Sequence, residues 1–262
     1  MRRMVSRLLG LGFMALLFGC STLVAPPSAP ALGEAGAIKA WSRVLQRFVN
    51  AQGEVDFAAL AAERADLDAY VRHVADTQLD TLHGQDEKLA HMLNAYNALS
   101  MYNVIEAGIP ASHAGFAKVQ FFVLRKLTIA GTAMSLYAFE NDVIRPFARG
   151  IGEPRIHFGL NCSALACPVL PRLPFRAPTL QAQLEAETRS FFARPENFFV
   201  DSANRSVWLS EILDFYAEDF VPAHGRNLIE YANRYAPQPA ALNWEVRFTP
   251  YDWTVANSRR AR

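Results

Sequence analysis

Residues 86–107 constrain the fold more than any other stretch of this chain. Leu89, Leu93, Tyr96, Ser100 and Asn103 trace one stripe at helical spacing, and Leu99 and Val104 widen it. Gly108 followed by Pro110 supplies the stop. Shorter helical patterns flank it. Trp41, Val44, Leu45 and Phe48 share a face over 40–50, and 58–75 reads as one or two further helices. Residues 121–129 and 132–136 read as strands around an Ala130-Gly131 turn, with Ser135 as the cap of a helix over 137–147. A short strand is expected at 155–160 and a helix at 180–192. Paired strands follow at 198–200 and 206–209, then helices after Ser210 and over 226–235, and a last strand at 246–248. Helices outnumber strands and do not alternate with them, so the expected class is α+β: a single, mostly helical domain with a small antiparallel sheet.

The N-terminus reads as a targeting segment. Arg2, Arg3 and Arg7 precede an apolar run, Leu8 to Phe18, of eleven residues, too short to span a bilayer. Leu17-Phe18-Gly19-Cys20 resembles the lipobox of bacterial lipoproteins, in which the cysteine is acylated. Residues 1–19 are therefore expected to be a signal peptide and Cys20 the lipidation site. By resemblance to the enterobacterial sorting rule, Ser21 rather than Asp implies the periplasmic face of the outer membrane. The expected partner is thus the membrane, through the lipid on Cys20. Residues 20–37, rich in Ala, Pro and Gly, read as a flexible tether. The folded domain is expected over 38–257, with a frayed tail at 258–262.

Charge removes one class of function. The chain has 26 basic and 25 acidic residues; setting aside Arg2, Arg3 and Arg7 leaves 23 against 25. Nothing in that balance neutralises phosphates, so nucleic acid is not an expected partner. No phosphate loop and no His-Glu-x-x-His pattern occurs, and no metal or cofactor is expected.

The chemistry concentrates in the run from Arg155 to Pro168. As a strand, 155–160 would turn Arg155, His157, Gly159 and Asn161 to one face, with Gly159 leaving room for a cleft. Five extended residues would separate His157 from Cys162 by about 16 Å, so a Cys–His pair would require a sharp reversal near Asn161. Cys162 and Cys167 admit three readings. One is a structural disulfide, which the compartment permits and which would add roughly 2 kcal/mol for so short a loop. Another is a nucleophilic Cys162 with His157 as its base, Glu140 or an Asn orienting that base, and Asn161 or backbone N–H groups holding an oxyanion. The third is metal binding or redox cycling, for which Cys-x4-Cys is not the usual spacing.

Several runs together resemble the bacterial domain of unknown function 547 family. They are Ala90 to Leu99, Leu136 to Arg145, Pro154 to Phe158 with Cys162 and Cys167-Pro168, Phe215 to Phe220, and Tyr251-Asp252-Trp253. The chain differs where Met92 replaces a tryptophan and Ser163 a usual glycine. The resemblance implies a neighbourhood of fold rather than a reaction. It implies that Glu140 and Arg145 form an ion pair or rim a pocket. It also favours the nucleophile reading, because some members of the family keep the first cysteine but lack the second, which a mandatory disulfide would not allow. Asn94 and Asn97, three apart on the long helix, have two readings: packing against a buried loop, or substrate contact. With Arg145, Arg155 and Asn161 they complete the candidate binding residues. If the chain is an enzyme, the expected reaction is thiol-dependent hydrolysis or acyl transfer. The alternative is a non-catalytic envelope scaffold stapled by Cys162–Cys167.

Overall fold

A computed structural model describes residues 21–259. The signal segment, Cys20 and the last three residues of the tail lie outside them. The class is α+β. Four helices build the first half: α1 (Glu34–Phe48), α2 (Phe57–Ala62), α3 (Ala65–Asp76) and α4 (Gln85–Glu106). Helix α4 is the axis of the domain, because nearly every residue from Leu89 to Val104 is buried. Its amphipathic signal is correspondingly weak: it has no solvent face.

Polar residues repeat every third position on α4, and each one fastens another segment. Asn94 accepts from Phe175 N–H (2.9 Å) and donates to its carbonyl (2.8 Å). Asn97 donates to the Gly159 carbonyl (2.9 Å) and accepts from Asn161 N–H (2.8 Å). Ser100 pairs with Ser163 (3.0 Å), and Asn103 donates to the Phe121 carbonyl (3.0 Å). Buried side-chain amides are retained where they satisfy loop backbone that no sheet or helix serves.

The strands form two three-stranded sheets rather than one antiparallel sheet. In the first, β1 (Thr22–Leu23) runs parallel to β2 (Arg125–Ile129), which pairs antiparallel with β3 (Thr132–Met134). Ala130 and Gly131 make the turn, both at positive φ. In the second, β4 (Phe198–Asp201) is antiparallel to β5 (Ser206–Ser210), and β5 is parallel to β6 (Glu245–Thr249). The expected free tether is docked at its start. Thr22 and Leu23 are paired in β1, Val24 N–H donates to the Lys126 carbonyl (2.8 Å), and Val24 is buried. At the other end Ser258 N–H donates to the Val55 carbonyl (3.0 Å) and Arg259 reaches Asp56 (2.7 Å), so the tail is held through Arg259.

The remaining helices are α5 (Phe116–Val119), α6 (Leu136–Ala138), α7 (Arg145–Gly150), α8 (Leu180–Phe192), α9 (Ile212–Phe215), α10 (Ala217–Phe220) and α11 (Leu228–Ala232). Two wide π turns extend them: Gln120–Leu124 continues α5, and Phe139–Ile144 joins α6 to α7. Residues 121–124 are therefore helical, not the start of a strand.

The expected strand at 155–160 is instead a 3-10 turn, Pro154–Phe158. Pro154 presets helical φ at the first position, and the Glu153 carboxylate accepts the Arg155 N–H (3.2 Å) as its cap. The apparent alternation was misleading because the segment threads between two cores. Ile156 and Leu160 enter the core around α4, while Phe158 enters a second core under β4–β6 and α8–α11. Gly159 does not open a cleft. A Cβ there would lie 3.1 Å from the Phe175 ring, so it is the close approach of that ring that requires glycine.

Candidate functional site

The 3-10 turn shortens the chain and delivers Asn161 to a compact loop. The Asn161 side chain is fully used inside that loop: its oxygen accepts Ser163 N–H (2.7 Å) and its amide donates to the Pro168 carbonyl (2.7 Å). Ser163 then adopts a positive φ of 64°, at the position where the resembling family has glycine. The chain's C-terminal stretch closes over the loop. Leu165 and Ala166 N–H groups donate to the carbonyls of Thr254 (2.8 Å) and Asp252 (3.2 Å), and Ala256 N–H to that of Ser163 (2.8 Å).

This arrangement brings three reactive side chains together. Cys162 and Cys167 are free thiols whose sulfurs lie 2.8 Å apart. The Tyr251 hydroxyl is 3.0 Å from Cys167 Sγ and 3.4 Å from Cys162 Sγ. Cys162 N–H donates to Cys167 Sγ (3.1 Å). The two sulfurs are not equivalent. The hydrogen bond to Cys167, together with burial, pushes the Cys162 thiol well up. Burial also disfavours charge on Cys167, but the Cys162 thiol, the Tyr251 hydroxyl and the N–H groups of Ala164 and Cys162 outweigh it and move that thiol down. Cys167 is therefore the sulfur of the pair that gives up its proton more readily, its anion stabilised by donors from both side chains and the loop backbone.

The sulfurs lie at the end of a cleft of about 450 Å³, lined by Tyr96, Phe122, Glu140, Arg145, His157, Tyr216, Tyr251 and Trp253 among others. Glu140 lies in the π turn, where the backbone bonds i to i+5. That places Glu140 and Arg145, five apart, on the same cleft wall. They do not pair with each other. Glu140 accepts the Tyr96 hydroxyl (2.8 Å). Arg145 instead donates to Asp219 (2.7 Å) and Glu218 (2.8 Å), and its guanidinium lies 5.0 Å from the centre of the Tyr216 ring.

His157 is buried and pairs with Asp219, not with a cysteine. Its Nε2 lies 2.8 Å from Asp219 Oδ2 and its ring stacks on Tyr216 at 4.0 Å. Burial lowers its pKa despite Asp219, so the imidazole is neutral. Because Asp219 is ionised, we place the ring proton on Nε2. Burial alone would raise the Asp219 carboxyl, but His157, Arg145 and Arg149 hold it well below the usual carboxylate range. Arg155 points away from the cleft, to Glu153 (2.6 Å) and Glu185 (3.2 Å).

Of the residues singled out in the sequence, Cys162, Cys167, His157, Glu140 and Arg145 share the cleft. Asn94, Asn97, Asn161 and Arg155 are structural fasteners outside it. Sequence reasoning missed Tyr96, Tyr216, Asp219 and Tyr251 as parts of the site. The Tyr251-Asp252-Trp253 run was visible, but nothing local joined it to a loop some ninety residues earlier.

The model of the family described as "Protein of unknown function, DUF547" matches residues 79–192. The resemblance read from the α4 helix and the run from Pro154 to Pro168 is thus shown, over the stretch that carries Glu140 and both cysteines. Asp219 and Tyr251 lie beyond it. No curated protein and no solved structure matches the chain.

Proposed function

We propose that this chain is a cell-envelope lipoprotein, anchored through Cys20 at the periplasmic face of the outer membrane, whose cleft performs thiol-dependent acyl transfer or hydrolysis. One observation carries the chemical part: Cys167, a thiol moved down in pKa, lines a largely apolar cleft with the Tyr251 hydroxyl 3.0 Å away. The anchor rests on the N-terminal sequence pattern alone.

The nucleophile passes from Cys162 to Cys167. Its thiolate adds to an acyl carbonyl, and the Tyr251 hydroxyl is placed to donate to the developing oxyanion. The C–O bond to the alcohol breaks, the departing alkoxide takes a proton from water, and the acyl group remains as a Cys167 thioester. Water then attacks the thioester. Glu140, held by Tyr96 on the cleft wall, accepts the proton, the C–S bond breaks, and the Cys167 thiolate returns. The Cys162 thiol keeps its proton and steadies the anion. His157 and Asp219 are positioning residues that fix Tyr216 and Arg145.

A p-nitrophenyl ester tests this. The protein should release a burst of one p-nitrophenolate per chain and carry the acyl mass on Cys167. Cys167→Ser should abolish the burst and Cys162→Ser should keep it. An acyl group on another residue, or an undiminished burst in Cys167→Ser, overturns the reading. A second reading, the non-catalytic scaffold, is favoured by the 2.8 Å approach of the sulfurs, which needs little movement to close a staple.

A further inference from the structure

The mouth of the cleft is apolar in a way that a cleft for a soluble substrate does not require. Phe116, Val119 and Val123 recur at i, i+3 and i+7 along α5 and its π turn, and they are 67, 42 and 40 % exposed. Tyr137 and Phe215, also exposed, border the same opening, and Val119, Val123, Tyr137 and Phe215 all line the cleft. Exposed apolar side chains gathered around one opening mark an interaction surface, unlike single ones scattered over the protein.

Charge says what that surface meets. Lys118, on the same segment, lies 3.7 Å from the centre of the Trp253 ring and 5.7 Å from that of Phe215, and no carboxylate among the described residues lies in ion-pair range of it. From residue 107 to residue 139 the chain contains no Asp or Glu, while Lys118 and Lys126 are basic; Arg125 is turned inward onto Asn103 (2.6 Å). An exposed apolar row on a segment with cations and no acids suits the headgroup level of an anionic bilayer; the exposed Asp214 and Asp252 flank the opening on the opposite elements. Chain position agrees. Thr22 is the partner of Arg125 in the first sheet, two residues after Val123. The described chain therefore starts within roughly 10 Å of the rim, at strand spacings of about 4.8 Å across and 3.3 Å along. A lipid on the residue before Ser21 would hold this rim to the membrane rather than leave the domain on a long leash.

We propose that the rim formed by Phe116, Lys118, Val119 and Val123 seats on an anionic lipid bilayer, and that the acyl group attacked by Cys167 enters the cleft from a lipid of that bilayer. The substrate class rests on the acyl-transfer reading; the docking face does not.

The test uses the full lipidated chain on vesicles of phosphatidylglycerol and phosphatidylethanolamine with brominated acyl chains. The Trp253 signal is read as the difference from Trp253→Phe. Trp253 emission should be quenched severalfold. Phe116→Asp with Lys118→Glu should lose most of that quenching while still floating with the vesicles, and phosphatidylcholine vesicles should quench less. Unquenched Trp253 in the unsubstituted chain, equal quenching in the rim variant, or a chain that does not float overturns the docking face. Phe116→Asp should leave iodoacetamide alkylation of Cys167 within twofold. Quenching that persists while Cys167 resists alkylation leaves the docking face standing and removes the acyl-transfer reading.

Discussion

His113 makes the fold sensitive to acid by an amount the structure sets. The side chain is fully buried, its ring centre 3.9 Å from that of Phe121, and neither ring nitrogen has a hydrogen-bond partner among the described residues; only the backbone N–H of His113 donates, to the Trp253 carbonyl (2.9 Å). Burial pushes the imidazole down to about 4, against a small opposing effect from the Cys162 backbone. In the unfolded chain a histidine titrates near 6.5. The folded value is depressed, so below about pH 6.5 the unfolded chain binds a proton that the folded chain refuses. Stability is lost as pH falls through that value, and the loss levels off near pH 4. Linkage gives about 2 kcal/mol by pH 5 and about 3 kcal/mol by pH 4. His113→Leu removes the proton site and keeps an apolar group against Phe121. Its packing cost is the same at every pH, so only the slope reports on His113. Urea unfolding at pH 7.5, 6 and 5 should show the unsubstituted protein losing about 2 kcal/mol more than the variant between the extremes. The lowered pKa values of His157, His91 and His73 contribute equally to both and cancel. Parallel losses, within about 0.5 kcal/mol, would refute the reasoning.

Three further outcomes follow from the same structure. Asp219→Ala leaves the buried His157 without its carboxylate and the half-buried Arg145 with Glu218 as its remaining carboxylate, and urea unfolding at neutral pH should show a loss of about 3 kcal/mol. Asn97→Ala strands the Gly159 carbonyl and the Asn161 N–H inside the protein; unfolding should show about 2–6 kcal/mol lost, at about 1–3 kcal/mol for each of the two unsatisfied groups. Tyr251→Phe deletes the hydroxyl that donates to Cys167, so the midpoint of the alkylation rate against pH should move up by roughly one unit, the equivalent of about 1.4 kcal/mol.

Long elements with local causes were readable in the sequence. The helix over 86–107 is Gln85–Glu106, the one at 180–192 has the bounds Leu180–Phe192, and the strands at 198–200 and 206–209 pair as expected. Ser135 caps as its position suggests, accepting from Ala138 N–H (3.1 Å). The strand over 155–160 was not there, because alternation between two cores imitates alternation between core and solvent; Pro154 was the local signal against it. The parallel pairing of β6 with β5 joins segments some forty residues apart, which no local pattern encodes. The site divides the same way. Cys162, Cys167, Glu140 and His157 were visible by residue type. The partners that complete the site were not: Tyr96 reaches Glu140 from forty-four residues away, and Asp219 and Tyr251 reach His157 and the thiols from more than sixty. The spacing of five between Glu140 and Arg145 is off the α-helical ideal, and it was in fact the trace of the π turn that sets both on the cleft wall.

The central claim is that Cys167, not Cys162, is the reactive sulfur of a reduced pair. Timed alkylation of the native, unreduced protein at neutral pH, followed by peptide mass mapping, tests it most directly. The expected result is early modification of Cys167, with Cys162 lagging because its thiol is held protonated. Modification of Cys162 first, or of neither sulfur until a reductant is added, would contradict it.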